Sequence, residues 1–284
     1  MNSGRLYPVI VLIFCSFFIS GCSLFQSFSH SFKSTDHFIT HKKDSRIKYE
    51  AGAEKLAAEL LTALPLAVQK VEEGQYAPFP ENITIYACES GKSFEEMTGR
   101  KVSAMAYRES IFLSPEILDH PGNVTSYLVH ELSHLHFYQH LGGYGYITIP
   151  AWFTEGLAVY VSDGGGAERV REDEARAYIR SGNHFIPYAQ AGLRDLIVPK
   201  YASYWKIDHP CKHHMFYLQC MLFVAFLEQE DPESFKSFVL SLVEGTAFKT
   251  AFQSSFKVDL AVKWDDFKRK NDGQSTAQEQ SHDA

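Results

Sequence analysis

The sequence predicts an α+β protein: a small sheet built in the first half of the chain, then a mainly helical second half. Two patterns predict it. Short runs rich in β-branched and aromatic residues, at 82–88, 102–107 and 110–114, read as strands. Longer runs with apolar residues recurring three or four positions apart, beginning near 51, 123, 151 and 214, read as helices. Strand-like runs that give way to helical runs, instead of alternating with them, argue for α+β and against a parallel doubly wound sheet. With 284 residues, 45% of them hydrophobic, the chain can build one large core or a two-lobed domain. Its formal net charge of −7 argues against a nucleic-acid partner, because phosphate binding is built on clustered Lys and Arg.

Residues 1–21 have the make-up of a leader. Arg5 precedes an apolar run at 9–19 that is too short for an ordinary spanning helix and has signal-peptide dimensions. The run ends Ile19-Ser20-Gly21-Cys22, which resembles the lipobox of bacterial lipoproteins. That resemblance implies cleavage before Cys22, lipid on its thiol, and a place in the bacterial envelope. Ser23 after the cysteine resembles the outer-membrane sorting pattern, facing the periplasm. Lipid would tether the protein to the membrane without inserting it, at about 0.8 kcal/mol per buried CH₂. The competing reading is an N-terminal membrane anchor with an incidental cysteine. Residues 22–48 mix Ser, Phe, His and Lys without period and read as a tether, although the several Phe residues leave open that part of it packs on the body.

The folded domain is expected over 49–270, with a sheet-containing lobe at about 49–142 and a helical lobe at about 150–270. Its first helix carries Leu56, Leu60, Ala63 and Leu64 on one face, and Pro65 should kink or divide it. The strand at 82–88 follows, then a short helix at 93–98 and a hairpin joined around Arg108-Glu109. Pro121-Gly122 stops this region, and Asn123 can cap the next helix.

That helix carries His130-Glu131-Leu132-Ser133-His134. Positions i and i+4 share a helix face, so His130 and His134 can grip one ion together. Imidazole nitrogen suits zinc, and a catalytic zinc site takes three protein ligands and leaves a position for water. Glu131 projects towards that position, where a carboxylate can accept a proton from water. The apolar stripe Val124, Leu128, Leu132 and Leu135 occupies another face, and Gly142-Gly143 should end the helix. On the next helix, from about 151 to 162, Glu155 is the candidate third ligand. His136 and His140 lie off the 130/134 face and read as surface or packing histidines.

His130-Glu131-x-x-His134 followed by Pro150-Ala151-Trp152-Phe153-x-Glu155-Gly156-Leu157-Ala158 resembles the gluzincin metallopeptidases, of the peptidase MA-like branch near the thermolysin and aminopeptidase groups. The resemblance spans roughly 80–268 and is sharpest between 123 and 161. It implies a zincin-like fold, a small mixed sheet whose edge strand packs on the motif helix. It also implies one zinc ion held by His130, His134 and Glu155, Glu131 as base, and peptide-bond hydrolysis. In such enzymes the edge strand binds extended peptide by main-chain hydrogen bonds, and the resemblance puts that strand near 103–107. Many relatives carry an Asp four residues after the glutamate ligand, but Val159 stands there, so the partner that orients the zinc histidines is unidentified.

Residues 167–179 are dominated by charge and read as a solvated helix face, and Gly164-Gly165-Gly166 before them as a hinge or turn. A long loop with Pro187, Pro199 and Pro210 precedes the apolar helix at 214–227. There Tyr217 and Gln219 match the family's Y-x-Q pattern, and the resemblance makes Tyr217 the candidate donor to a tetrahedral oxyanion, with His213 and His214 as rivals. Two or three amphipathic helices should fill 233–270, and the polar residues 271–284 should be a disordered tail. Cys88, Cys211 and Cys220 permit one disulfide at most, and none sits in a nucleophilic setting. The expected activity is metal-assisted hydrolysis of a peptide or protein. The rival class is a lipid-anchored binding or envelope-assembly factor that keeps the fold without turnover, against which the intact Glu131 argues.

Overall fold

A computed structural model describes residues 33–107, 109–119, 123–191 and 206–282, with Asn123 and residues 273–282 as backbone alone. The leader, Cys22, Pro121-Gly122 and residues 192–205 of the long loop lie outside the described residues. The five strands are β1 (Ile39–Thr40), β2 (Ile47–Tyr49), β3 (Thr84–Ala87), β4 (Ala104–Tyr107) and β5 (Ser110–Leu113). The helices are α1 (Glu54–Gln75), α2 (Gly91–Thr98), α3 (Asn123–Ile147), α4 (Ala151–Val161), α5 (Glu172–Arg180), α6 (Lys212–Glu230), α7 (Pro232–Val243), α8 (Phe248–Phe256) and α9 (Leu260–His282). The protein is therefore α+β, with the sheet in its first half.

The sheet order is β1-β2-β3-β5-β4, with β2, β3 and β5 parallel and the outer strands antiparallel to their neighbours. Side chains alternate across a strand, and the two faces separate cleanly. Ile85, Ala87, Ile111 and Leu113 join Leu56, Leu60 and Leu64 of α1 and Leu128, Leu132 and Leu135 of α3 in one core. Tyr86, Cys88 and Phe112 point the other way, onto Phe94 and Met97 of α2. The sheet thus lies between the motif helix and a small outer cap.

Phe38 is buried in that outer cap, and β1 and β2 complete the sheet. The stretch read as a tether therefore packs on the body from about residue 37, a possibility its phenylalanines had left open. Glu50 fastens this segment: it accepts hydrogen bonds from His37 Nε2 at 2.9 Å, the Glu89 N–H at 2.7 Å and Ser93 Oγ.

Two helices differ from expectation. α1 runs unbroken through Pro65. The proline is exposed, while Leu60, Leu64, Ala67 and Val71 keep the helix packed on the core. α3 breaks at Gly142, whose φ of 65° and ψ of 173° are not helical, but a further helical turn follows instead of a loop. The polar run from 271 continues α9 to His282.

The second half packs around α4, which is buried on nearly all sides. Its Trp152 and Phe153 join Phe185, Phe216, Phe223, Phe238, Phe248 and Trp264 in an aromatic core. α4 crosses α6 at Gly156, where a Cβ would come within 2.8 Å of the Cys220 backbone. Only glycine lets these helices approach so closely, and the crossing fixes where Glu155 lies. Cys88, Cys211 and Cys220 are all free thiols.

Candidate metal centre

The face of α3 opposite the sheet meets α4, and three side chains converge there. His134 Nε2 lies 3.2 Å from His130 Nε2. Glu155 Oε2 lies 3.5 Å from His130 Nε2 and 3.4 Å from His134 Nε2. Ligands at about 2.0–2.1 Å from a tetrahedral zinc stand about 3.3 Å from one another, so the triangle has the size such an ion requires. The side chains are nearly sequestered, at 8, 12 and 12% exposure. Glu155 Oε2 is buried and accepts no hydrogen bond. A buried carboxylate oxygen without a donor is costly, and a cation among these three atoms would satisfy it. Among the described residues, His130, His134 and Glu155 form a group that can hold a metal ion.

The electrostatics agree. Burial by itself would raise the Glu155 pKa, but the two imidazoles beside it hold the carboxyl well below the usual range. Burial likewise works to lower the His130 pKa, yet Glu155 and Glu131 lift it above the ordinary value. The pocket favours positive charge.

Each imidazole is held from behind. His130 Nδ1 is 2.9 Å from the Gly165 carbonyl, and His134 Nδ1 is 3.1 Å from the Tyr146 hydroxyl. With Nδ1 engaged, Nε2 of both rings is left facing Glu155. The Gly164-Gly165-Gly166 run is therefore a turn that offers a carbonyl to His130. A Cβ on Gly165 would sit 2.8 Å from the Ser126 carbonyl oxygen, and Gly166 adopts φ +90° against the His130 ring. Val159 is fully buried among apolar residues. Sequence reading missed both Gly165 and Tyr146. A bare glycine run just after the ligand helix was the signal for the first; nothing local marks the second.

Glu131 is half-buried, and its Oε2 accepts a hydrogen bond from the Ala106 N–H at 2.5 Å. Ala106 lies on β4, the outermost strand of the sheet. The carboxylate is thus pinned between the motif helix and an outer strand of the sheet. Tyr217 of α6 lies beside His130, their ring centroids 6.0 Å apart. Of its rivals, His213 is exposed beside Tyr217, while His214 Nδ1 lies 3.6 Å from Glu168. Glu168 also accepts from the Gly166 N–H at 2.8 Å, which braces the glycine turn. Gln219 is remote in role: it accepts from the Phe185 N–H and donates to the Asn183 carbonyl, pinning the start of the long loop.

His136 and His140 turn away from the triad. Their Nε2 atoms pair with the Ala77 and Pro78 carbonyls at 2.9 and 3.0 Å. No family model matches this chain, and no curated protein is similar to it.

Proposed function

We propose that the protein is a zinc metallopeptidase of the zincin kind, hydrolysing peptide bonds with Glu131 as general base. The observation that carries the reading is Glu155 Oε2, buried, without a hydrogen bond, and within 3.5 Å of two imidazole nitrogens on the neighbouring helix. His130, His134 and Glu155 would hold the ion, which when bound lowers the pKa of water and polarises the scissile carbonyl. The remaining work falls to the chain. Glu131, fixed by the Ala106 N–H, accepts the proton of the attacking water and delivers it to the departing amine. Tyr217 offers a phenol donor on the His130 side, where negative charge would gather on the carbonyl oxygen.

The position of β4 as an outer strand beside Glu131 supports an extended peptide as substrate, paired to the strand by main-chain hydrogen bonds. The apolar leader and Cys22 support a lipid-anchored envelope protein. No helix among the described residues is long and apolar enough to cross a membrane.

Glu131→Gln keeps the shape of the side chain but removes its basicity. It should lower cleavage of denatured casein by about 10²–10⁴-fold, with zinc content unchanged by elemental analysis. Full cleavage by this variant would remove Glu131 from the mechanism. Wild-type protein that binds zinc but leaves casein intact, with or without a chelator, would favour the binding or assembly role.

A further inference from the structure

We infer that Tyr146 is a positioning residue of the metal centre. Its hydroxyl, 3.1 Å from His134 Nδ1, holds that imidazole in the tautomer and orientation that present Nε2 to the ion. The inference rests on the metal reading above and extends it to a residue that the sequence motifs do not contain.

The chemistry is direct. A neutral histidine that ligates through Nε2 carries its proton on Nδ1, and that proton needs an acceptor. The His134 side chain is only 12% exposed, which leaves little opening for solvent to serve. Val159, four residues after Glu155, where the resemblance to gluzincins implies a carboxylate, is enclosed among apolar side chains and offers no acceptor. The phenol oxygen of Tyr146 supplies the lone pair instead. His130 has the Gly165 carbonyl in the corresponding role, so both ligands are oriented, each by a different kind of acceptor.

The backbone explains how Tyr146 reaches its target. Twelve residues of uninterrupted helix would carry it about 18 Å along the axis from His134. The break at Gly142 turns the chain back, and its φ of 65° is one that glycine adopts without strain. The returning turn is then fastened. The Thr148 N–H and hydroxyl both donate to the Gly145 carbonyl, at 3.0 and 2.7 Å, and the Ile149 N–H donates to the Tyr146 carbonyl at 3.2 Å. The Tyr138 ring packs edge-on beside the Tyr146 ring, with centroids 6.3 Å apart. The connection between the two ligand helices is thereby built to hold one hydroxyl against one ligand.

The test is zinc binding by Tyr146→Phe, measured by competition with a chromophoric chelator, with Tyr138→Phe as control. Tyr146→Phe should bind zinc about 10–100-fold more weakly, while Tyr138→Phe keeps the wild-type affinity. In the zinc-loaded wild type, ¹⁵N-imidazole spectra should show a His134 Nδ1–H resonance protected from exchange, and Tyr146→Phe should lose it. A variant with wild-type affinity and an unchanged Nδ1–H resonance would overturn the role of Tyr146 and leave the metal site standing. Wild-type protein that takes up no zinc would overturn both.

Discussion

Two histidine pairs sit on the same helix, each spaced i to i+4, and they have opposite fates. His130 and His134 bring their rings to 4.9 Å, His136 and His140 to 4.5 Å. In the first pair, Nδ1 is engaged from behind and Nε2 faces a buried carboxylate. In the second, Nε2 is spent on the carbonyls of Ala77 and Pro78, where α1 gives way to the loop before β3. Burial pushes the His136 pKa down to about 4, so that ring is neutral, whereas the first pair lies in a pocket that favours positive charge. Spacing alone does not make a metal site. What distinguishes the first pair is Glu155, brought in by α4, together with acceptors that leave Nε2 pointing at it.

Removing the rings should separate the two pairs most strongly. His136→Ala combined with His140→Ala should retain one zinc per chain, while His130→Ala or His134→Ala should retain none under the same dialysis. Elemental analysis decides, and loss of zinc from the first double variant would erase the distinction between the pairs.

Acid titration should reveal the buried His136. The folded-state pKa of His136 lies below the ordinary value of 6.5, so the unfolded chain takes up the proton more readily. The stability its burial preserves is complete above about pH 6.5 and is lost as pH falls towards about 4. Across that window the linkage amounts to about 3 kcal/mol. Urea midpoints of zinc-free wild type and His136→Phe, taken from pH 7 to pH 4, should show a shallower decline in the variant. Parallel curves would place the acid sensitivity elsewhere. The smallest effect belongs to His140, partly exposed and bonded through one carbonyl. His140→Ala should change stability by about 1 kcal/mol or less.

The triad was legible from sequence because helical periodicity fixes the relation of His130 to His134, and the second motif marks the helix that carries Glu155. The strands at 84–87, 104–107 and 110–113 were legible for a similar reason, since each alternates between two buried faces. The strands at 39–40 and 47–49 are too short to show a period and owe their conformation to pairing, β1 with β2 and β2 with β3. Pro65 misled because a proline on the solvent side of a packed helix costs less than one on the core side. Ala106 on Glu131, Gly165 on His130 and Tyr146 on His134 depend on how turns bring the chain back. Such returns leave no periodic trace.

On the proposed reading, Glu155 makes the first histidine pair, and not the second, able to hold zinc. Zinc titration by calorimetry on wild type and Glu155→Gln, with thermal unfolding of both to establish that each is folded, tests it most directly. One zinc per wild-type chain and at least a 100-fold weaker site in the variant is the expected result, on the order of the effect ascribed to losing a ligand's supporting groups or more. Equal affinity in the two folded proteins, or a wild type that takes up no zinc, would contradict it.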